Sequence, residues 1–399
     1  MSRRRRKPGS MGPYVNGFAR RLTKLGYSPG TIRNLLKAVG QLGRWLEGER
    51  LEVSEINQDA IEAFVRSRRI GGYRWVPSVR SFRPLLVYLR AEGVLAQEAP
   101  GSSPVGELLV EYRNWLVNAR GLAAPTVLRY ENLARRLLDQ RYAAAGSHFV
   151  EDLAGSEIIA FLMGETTRLS LGSAKGRVAE VRSLLRFLYA SGLTTKALAQ
   201  AVPPVAGWRG TAIPRGIAPS EVEQLLAGCD RNSPGGIRDY AILILVARLG
   251  LRSIEVARLQ VTDIDWRAGE IVVRGKARRQ DRLPFPVDVG EALSAYLCEA
   301  RPPTPIRQVF LALKAPTRAI RADLVSDVTH RACARAGVPR VGAHRLRHAL
   351  ATEMLRRGAT LVEVSQVLRH RDLATTAIYA KVDLHTLRRV AQPWTEIGQ

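Results

Sequence analysis

Cysteine is scarce in this sequence, and the three that are present, Cys229, Cys298 and Cys333, lie far apart. None of them forms the C-x-x-C pair of a zinc or redox site, so neither a structural zinc site nor a disulfide framework is expected. So few cysteines are typical of a reducing compartment, and we interpret them as packing residues. The sequence therefore predicts a cytoplasmic protein.

Long apolar runs are also missing. The longest run, residues 241–247, is far shorter than the roughly 20 residues of a membrane span. The first ten residues, MSRRRRKPGS, carry charges with no apolar segment after them, which argues against a secretory signal. We expect neither secretion nor insertion into a membrane.

Two motifs of cofactor-dependent enzymes are absent as well. The sequence contains no GxxxxGK[ST] phosphate loop and no carboxylate cluster of the kind that holds two metal ions. We therefore predict no ATP-dependent step, no cofactor and no metal site.

Acidic residues are too few to balance the basic ones. The 399 residues include 61 Lys and Arg against 36 Asp and Glu, which gives a formal net charge of +25. Such a surface repels itself unless a polyanion compensates it, which predicts a nucleic-acid partner. An anionic membrane is disfavoured because no amphipathic anchor or lipidation motif accompanies the charge. RNA is disfavoured because no aromatic-rich strand typical of RNA-binding domains is visible.

Residues 1–11 are predicted to form a basic, disordered arm. Arg3 to Arg6 and Lys7 make a run that is too polar and self-repelling to fold alone. Such an arm would contact DNA phosphates. The alternative is a tail that only keeps the protein soluble.

The segment 12–97 recurs in altered form at 106–197, which indicates an internal duplication. Each copy has apolar residues at three- and four-residue spacing, as expected for about four short helices. We predict two small all-helical domains joined by a Pro- and Gly-rich linker at 97–104. The corresponding positions include Gly26 and Gly121, Gly93 and Gly192, Ile61 and Ile158, Phe64 and Phe161, Leu85 and Leu184, and Leu89 and Leu188.

The rest of the chain, residues 212–399, is predicted to be a third and larger domain that begins within a second Pro- and Gly-rich linker. Residues 237–249 predict an apolar helix. Two strand-like runs, EIVVRG and DRLPFPV, flank the polar KARRQ and place Lys276 at a hairpin tip. The predicted fold class is mainly α, with two small all-helical N-terminal domains followed by a mostly helical domain with a small antiparallel β-sheet.

The stretch 342–382 carries the densest group of chemically useful side chains. His344 and Arg347 are three apart in an apolar-periodic run, so on a helix both project from one face. Gly358 is expected to end that helix.

A second helix is predicted directly after it. Thr360 and Glu363 form a capping box that starts a helix over residues 361 to about 368. His370 lies just beyond the end of this helix, and Tyr379 is placed near the end of a third short helix. Two histidines, an arginine and a tyrosine are thus carried by short helices that fold back on each other.

The spacing H-x-x-R, a second histidine, and a tyrosine nine positions later resembles the signature of the tyrosine recombinase (phage integrase-like) family. Two further pieces of that signature lie upstream: ARLGLRSIEVARL carries an arginine after a glycine turn, and VVRGKARRQDRLPFP carries a lysine between the strand-like runs. The resemblance covers about residues 219–395, and the segment 106–197 resembles the small helical domain that helps to clamp the duplex. The catalytic set that the resemblance implies is Arg252, Lys276, His344, Arg347, His370 and Tyr379.

The resemblance implies a site-specific DNA recombinase of the integrase or transposase type. Tyr379 would attack a DNA phosphate to leave a 3′-phosphotyrosyl link and a free 5′-hydroxyl, and the hydroxyl of a partner strand would reverse the step without ATP or metal. The implied partners are double-stranded DNA and further protomers in a synaptic tetramer, with or without related recombinases. The alternatives are a type IB-like topoisomerase with the same chemistry, and a catalytically inactive DNA-binding relative.

The chemistry of phosphodiester cleavage explains the residue types. An anionic phosphate with a strongly basic leaving group needs charge neutralisation, an in-line nucleophile and a general acid. Arg252 and Arg347 suit the first need, because a guanidinium pairs bidentately with phosphate and stays charged. Glu255 is expected to orient Arg252. By resemblance, Lys276 is the candidate acid.

The histidines are assigned supporting roles. His344 and His370 can hydrogen-bond the same phosphate, and His344 is the candidate acceptor of the Tyr379 proton. His348 either supports the arginine beside it or simply packs.

Two positions depart from the family pattern. Arg369 precedes the second histidine where glycine is common, and Ala349 follows the Arg-His pair where threonine is common. A turn that needs a positive φ tolerates arginine poorly. The path of the chain at His370 is therefore not fixed by the motif.

Overall fold

The structure is a computed structural model that describes residues 8–96, 103–206, 217–275 and 280–370, together with Thr376 and Tyr379. The chain divides into two compact units, one of residues 93–209 and one of residues 1–92 together with 210–399. It is mostly helical with one small antiparallel sheet, which confirms the predicted fold class. Within the described part, none of the helices combines the length and the apolar character that a bilayer crossing requires.

The first helical segment has four α-helices around an aromatic and aliphatic core. Ser28 and Asn57 cap the second and third of them by accepting hydrogen bonds from backbone N–H groups of the first turn, at 3.3 and 2.8 Å. Phe18, Phe64 and Phe82 are each at most 1% exposed. The helices are α1 (Gly12–Lys24), α2 (Pro29–Gly48), α3 (Gln58–Ile70) and α4 (Arg83–Ala91).

The prediction of a disordered arm over residues 1–11 is wrong for residues 9–11. Gly9–Met11 form a 3-10 helix, Met11 is fully buried, and the Ser10 hydroxyl donates a hydrogen bond to the Gly43 carbonyl at 3.1 Å. Burial of the apolar Met11 side chain against α2 is favourable. The prediction missed this contact because it was based on the charge of the preceding residues. Residues 1–7, with the Arg and Lys run, lie outside the described residues.

The described residues of the second unit form four α-helices, about the number that the internal repeat predicts. Its core includes Leu109, Tyr112, Leu184 and Leu188, each at most 1% exposed. The corresponding glycines of the two copies, Gly26 with Gly121 and Gly93 with Gly192, all have positive φ at helix ends. The helices are α5 (Pro104–Asn118), α6 (Ala124–Ala145), α7 (Gly155–Thr166) and α8 (Leu171–Ala190).

The first helical segment belongs to the same compact unit as the C-terminal part of the chain. Within this unit the Thr317 N–H donates a hydrogen bond to the Leu25 carbonyl at 2.9 Å. The boundaries 12–97, 106–197 and 212–399 therefore stay predictions.

The C-terminal part is built around α10 (Pro234–Leu249), which is apolar on nearly all sides because other helices surround it. A hairpin of β2 (Glu270–Arg274) and β3 (Gln280–Pro284) pairs antiparallel, with Val272 opposite Arg282, and β1 (Ile264–Asp265) adds to its other edge. A π-helical turn at Tyr296–Ala300 directly follows the helix Val287–Ala295. The remaining helices are α9 (Pro219–Ala227), α11 (Ser253–Arg258), α12 (Val287–Ala295), α13 (Ala322–Ala336), α14 (Ala343–Arg356) and α15 (Leu361–Leu368).

Candidate active site

The turn after α10 brings the first arginine to the site. Gly250 ends the helix with φ +58 in the left-handed region. A Cβ at this position would lie 2.8 Å from a Leu368 methyl and 3.0 Å from a Leu350 methyl, so the close approach also requires glycine. Arg252 follows as the N-cap of α11.

Arg252 is held by a carboxylate one helical turn away, as the sequence predicts. Its Nη1 donates to Glu255 Oε1 at 2.6 Å, and its backbone N–H donates to Glu255 Oε2 at 2.8 Å. The Arg252 side chain is 38% exposed, whereas that of Glu255 is 3% exposed. Burial alone would raise the pKa of Glu255, but Arg369 and Arg252 outweigh it and hold that pKa below its usual value.

Arg347 lies on α14 and is 1% exposed. Its two terminal nitrogens donate to the carbonyls of Gly250 and Leu368, which ties α14 to the ends of α10 and α15. Burial lowers the pKa of Arg347 to about 9, and the charges of Arg252 and Arg369 act in the same direction. The guanidinium stays protonated at neutral pH and is available as a fixed positive charge.

Tyr379 is 1% exposed and packs against Ala351, Leu355, Val364 and Leu368. Burial raises its pKa to about 12, although the charge of Arg347 opposes this. The side chain is therefore a neutral phenol at physiological pH in this arrangement.

The Tyr379 hydroxyl is hydrogen-bonded to Nδ1 of His348 at 2.6 Å. Burial lowers the pKa of His348 to about 4, with a further contribution from His344. A neutral His348 can accept the phenolic proton at Nδ1. The sequence predicts His344 in that acceptor role instead. The H-x-x-R-H spacing places His344 and His348 on one helical face and does not choose between them.

The two predicted histidines surround this pair. His344 is exposed, and its ring meets that of His348 edge-on with centroids 4.3 Å apart. Desolvation lowers the pKa of His344, as do the charges of Arg347 and Arg252. His370 lies parallel to the Tyr379 ring at 6.4 Å, and its Nδ1 is 2.7 Å from the Thr376 hydroxyl. Burial lowers the pKa of His370 to about 4, with Arg347 the next contributor.

The structure thus brings five of the six predicted residues, Arg252, His344, Arg347, His370 and Tyr379, to one place. The sixth, Lys276, lies outside the described residues. In the part of the chain that the structure describes, no group of three or more His, Cys, Asp or Glu residues could hold a metal ion.

The lowered pKa values of His348 and His370 predict a loss of stability in mild acid. Both pKa values lie near 4 instead of 6.5, so between these pH values the folded protein binds fewer protons than the unfolded chain. The free energy of unfolding should therefore decrease as the pH falls from about 6.5 to about 4.

Thermal unfolding at several pH values in this window checks the prediction. The Tm of the wild type should fall with pH, and that of His348→Asn should fall less, because an amide can accept the Tyr379 hydrogen bond without titrating. Equal decreases in the two proteins would contradict the assignment to His348.

Residues 215–385 match the family model described as the phage integrase family. The Sinorhizobium fredii protein y4rA, which is named as an integrase/recombinase, is 38% identical over 396 residues, covering 97% of this chain and 95% of y4rA. The tyrosine recombinase XerD of Mycobacterium tuberculosis is 34% identical over 302 residues, covering 70% of this chain and 94% of XerD.

Solved structures agree on the fold. The match to the structure of the XerH site-specific recombinase bound to its palindromic difH substrate covers 99% of this chain and 99% of XerH. Its TM-score is 0.54, and the sequences are 17% identical. The match to the structure of a lambda integrase dimer bound to a COC′ core site covers 85% of this chain and 89% of the integrase chain. Its TM-score is 0.53, and the sequences are 17% identical. At these identities the likeness concerns the fold alone.

Proposed function

Because the chain belongs to the phage integrase family and is a tyrosine site-specific DNA recombinase, we propose that it exchanges DNA strands through a 3′-phosphotyrosyl link to Tyr379. The observation that carries the proposal is the 2.6 Å contact between the Tyr379 hydroxyl and His348 beside the two arginines. A nucleophile, a proton acceptor and fixed positive charges are thus grouped in one place, as phosphoryl transfer requires.

The proposed step breaks one bond and forms one. The Tyr379 oxygen attacks the phosphorus and its proton passes to Nδ1 of His348. The bond from phosphorus to the 5′ oxygen breaks, and that oxygen takes a proton from Lys276. A 5′-hydroxyl of a partner strand then attacks the phosphotyrosine and reverses these transfers, so neither ATP nor metal is consumed.

The arginines and the outer histidines act on the phosphate. Arg252, whose side chain is partly exposed, pairs with a non-bridging oxygen as charge develops, and His344 and His370 hydrogen-bond the same group. Arg347 is buried behind them and contributes its charge and its hold on the Gly250 and Leu368 carbonyls.

A phosphate cannot reach the Tyr379 oxygen while the side chain is 1% exposed. We infer that DNA binding opens the packing around Tyr379 before cleavage while the hydrogen bond between its hydroxyl and His348 Nδ1 is kept. This opening would lessen the effect of burial on the pKa of Tyr379 and leave the charge of Arg347, which lowers that pKa and favours transfer of the proton to His348.

The partners follow from the charge and from the chemistry. The net charge of +25 suits double-stranded DNA. Because strand exchange needs a second cut strand, we propose a homo-oligomer on DNA, a synaptic tetramer, with or without related recombinases, acting in the cytoplasm. The first helical segment, 12–97, serves either to extend the DNA contact or to bridge protomers.

The test is covalent trapping on a nicked duplex. The substrate is drawn from short inverted repeats in the DNA beside the gene, with a nick just beyond the cleavage point so that the freed 5′-hydroxyl fragment diffuses away. We expect a protein–DNA adduct that persists in EDTA and maps to the Tyr379 peptide by mass spectrometry. An adduct on another residue, or one that requires a divalent ion, would refute the proposal.

A further inference from the structure

Arg369, at the C-terminal end of α15, occupies a backbone conformation that disfavours it. Its φ of 54° and ψ of 48° lie in the left-handed region, where a Cβ is unfavourable and glycine is the usual residue. Among the described residues, two non-glycine residues have a positive φ, Arg50 and Arg369. Arg50 is exposed, whereas Arg369 is 5% exposed. A side chain kept in such a place needs a compensating interaction.

The compensating interaction reaches the active site. Arg369 Nη2 lies 2.9 Å from Glu255 Oε2, and both side chains are 3% exposed. The other carboxylate oxygen, Oε1, accepts from Arg252. One buried carboxylate therefore joins the two guanidinium groups.

The backbone of Arg369 makes a second, direct contact with Arg252. Its carbonyl accepts a hydrogen bond from Arg252 Nη2 at 3.0 Å. The direction of that carbonyl depends on the left-handed φ and ψ, so the same conformation aims the carbonyl at Arg252 and the side chain at Glu255. Arg252 is thus fixed from both sides by one residue.

We propose that Arg369 is a positioning residue: by holding Glu255 Oε2, it keeps Glu255 from engaging the Arg252 guanidinium with both oxygens and so leaves that guanidinium turned toward the scissile phosphate. Without the Arg369 guanidinium, both oxygens of a buried carboxylate would face Arg252 alone. A bidentate pair would then form, because that geometry is the preferred one. This inference rests on the proposed function, since it assigns Arg252 to the phosphate.

The first test is Arg369→Gly, which suits the backbone and removes only the side chain. At saturating nicked duplex we expect the rate of adduct formation to fall by about 10- to 100-fold, by analogy with the loss of a residue that orients a metal ligand. DNA affinity should change little. Arg50→Gly relieves the same kind of backbone conformation at an exposed site, and its rate should equal that of the wild type.

Substitutions at Glu255 separate positioning from folding. Glu255→Gln alone should slow adduct formation, because it weakens the hold on Arg252. In the Arg369→Gly background Glu255→Gln should raise the rate, because it removes the carboxylate that would otherwise pair with the Arg252 guanidinium through both oxygens. A merely structural role for Arg369 would instead give two losses that add.

The outcomes distinguish this inference from the proposed function. No adduct with wild-type protein overturns the proposed function. A wild-type adduct together with a wild-type rate for Arg369→Gly overturns the positioning role, as does a rate that falls only in step with DNA affinity. Should Arg369→Gly fail to fold, Arg369→Asn, which tolerates the left-handed region and lacks the charge, is judged by the same measurements.

Discussion

A Tyr379→Phe variant should form no covalent adduct with the nicked core duplex while binding that duplex as tightly as the wild type. The substitution removes the attacking oxygen and leaves the ring in place. The side chain is 1% exposed, so its hydroxyl is not available to contact DNA in the resting arrangement. The loss of the hydrogen bond to His348 should lower the free energy of unfolding by only about 1 kcal/mol.

The matched control is Tyr296→Phe. Tyr296 is also 1% exposed in the same compact unit, and its hydroxyl accepts a hydrogen bond from the Leu311 N–H at 3.1 Å. This variant loses a buried phenol oxygen of comparable structural importance, and its adduct yield should match that of the wild type. Gel electrophoresis in denaturant measures the adduct, and fluorescence anisotropy measures the binding. Any adduct on Tyr379→Phe would remove Tyr379 from the role of nucleophile.

Local sequence signals determined much of what surrounds this tyrosine. The capping box of Thr360 and Glu363 is present, with the Thr360 hydroxyl accepting from the Glu363 N–H at 3.2 Å and Glu363 Oε2 accepting from the Thr360 N–H at 2.7 Å. The helix it starts runs over Leu361–Leu368, as predicted. Capping depends on residues three apart in the chain, so the sequence contains all that is needed.

The partner of the Tyr379 hydroxyl could not be predicted in the same way. His344 and His348 share a face of α14, and which ring meets the phenol depends on how the chain returns from α15. That return begins at Arg369, where the turn has the positive φ that arginine disfavours. The arginine is held there by tertiary contacts to Glu255 and Gly250, which lie more than 100 positions away in the chain, and by a local hydrogen bond to the Val367 carbonyl.

The two arginines of the site should differ in a way that the sequence alone does not suggest. Both belong to the predicted catalytic set, yet the Arg252 side chain is 38% exposed and Arg347 is 1% exposed. Arg347 donates to the Gly250 and Leu368 carbonyls, which would lose their shortest donors if it were removed and keep only those of Arg369 and Arg252 at 3.5 and 3.4 Å. In the proposed mechanism Arg252 pairs with the phosphate, whereas Arg347 also connects the ends of three helices.

We therefore expect Arg252→Ala and Arg347→Ala to lower the rate of adduct formation to a similar extent. Their free energies of unfolding should decrease by different amounts. Each should lower the single-turnover rate by about 10² to 10³-fold, as for removal of one preorganised charge-stabilising donor. Arg252→Ala should lower the free energy of unfolding by only about 1 kcal/mol, since the side chain is partly exposed and Arg369 still pairs with the Glu255 carboxylate. Arg347→Ala should lower it by on the order of 3 kcal/mol, because a large buried side chain and two carbonyl partners are lost.

Chemical denaturation gives the stabilities, and the nicked-duplex assay gives the rates at a temperature where every variant is folded. Arg248→Ala is the control, because its side chain is 36% exposed and pairs with Glu223 and Asp288 rather than with the site, so its rate should be unchanged. Arg347→Lys tests geometry: it keeps a charge but lacks the planar fork, and we expect a rate closer to that of Arg347→Ala than to the wild type. A stability loss for Arg252→Ala as large as that for Arg347→Ala would mean that the exposed arginine is structural, and its assignment to the phosphate would fail.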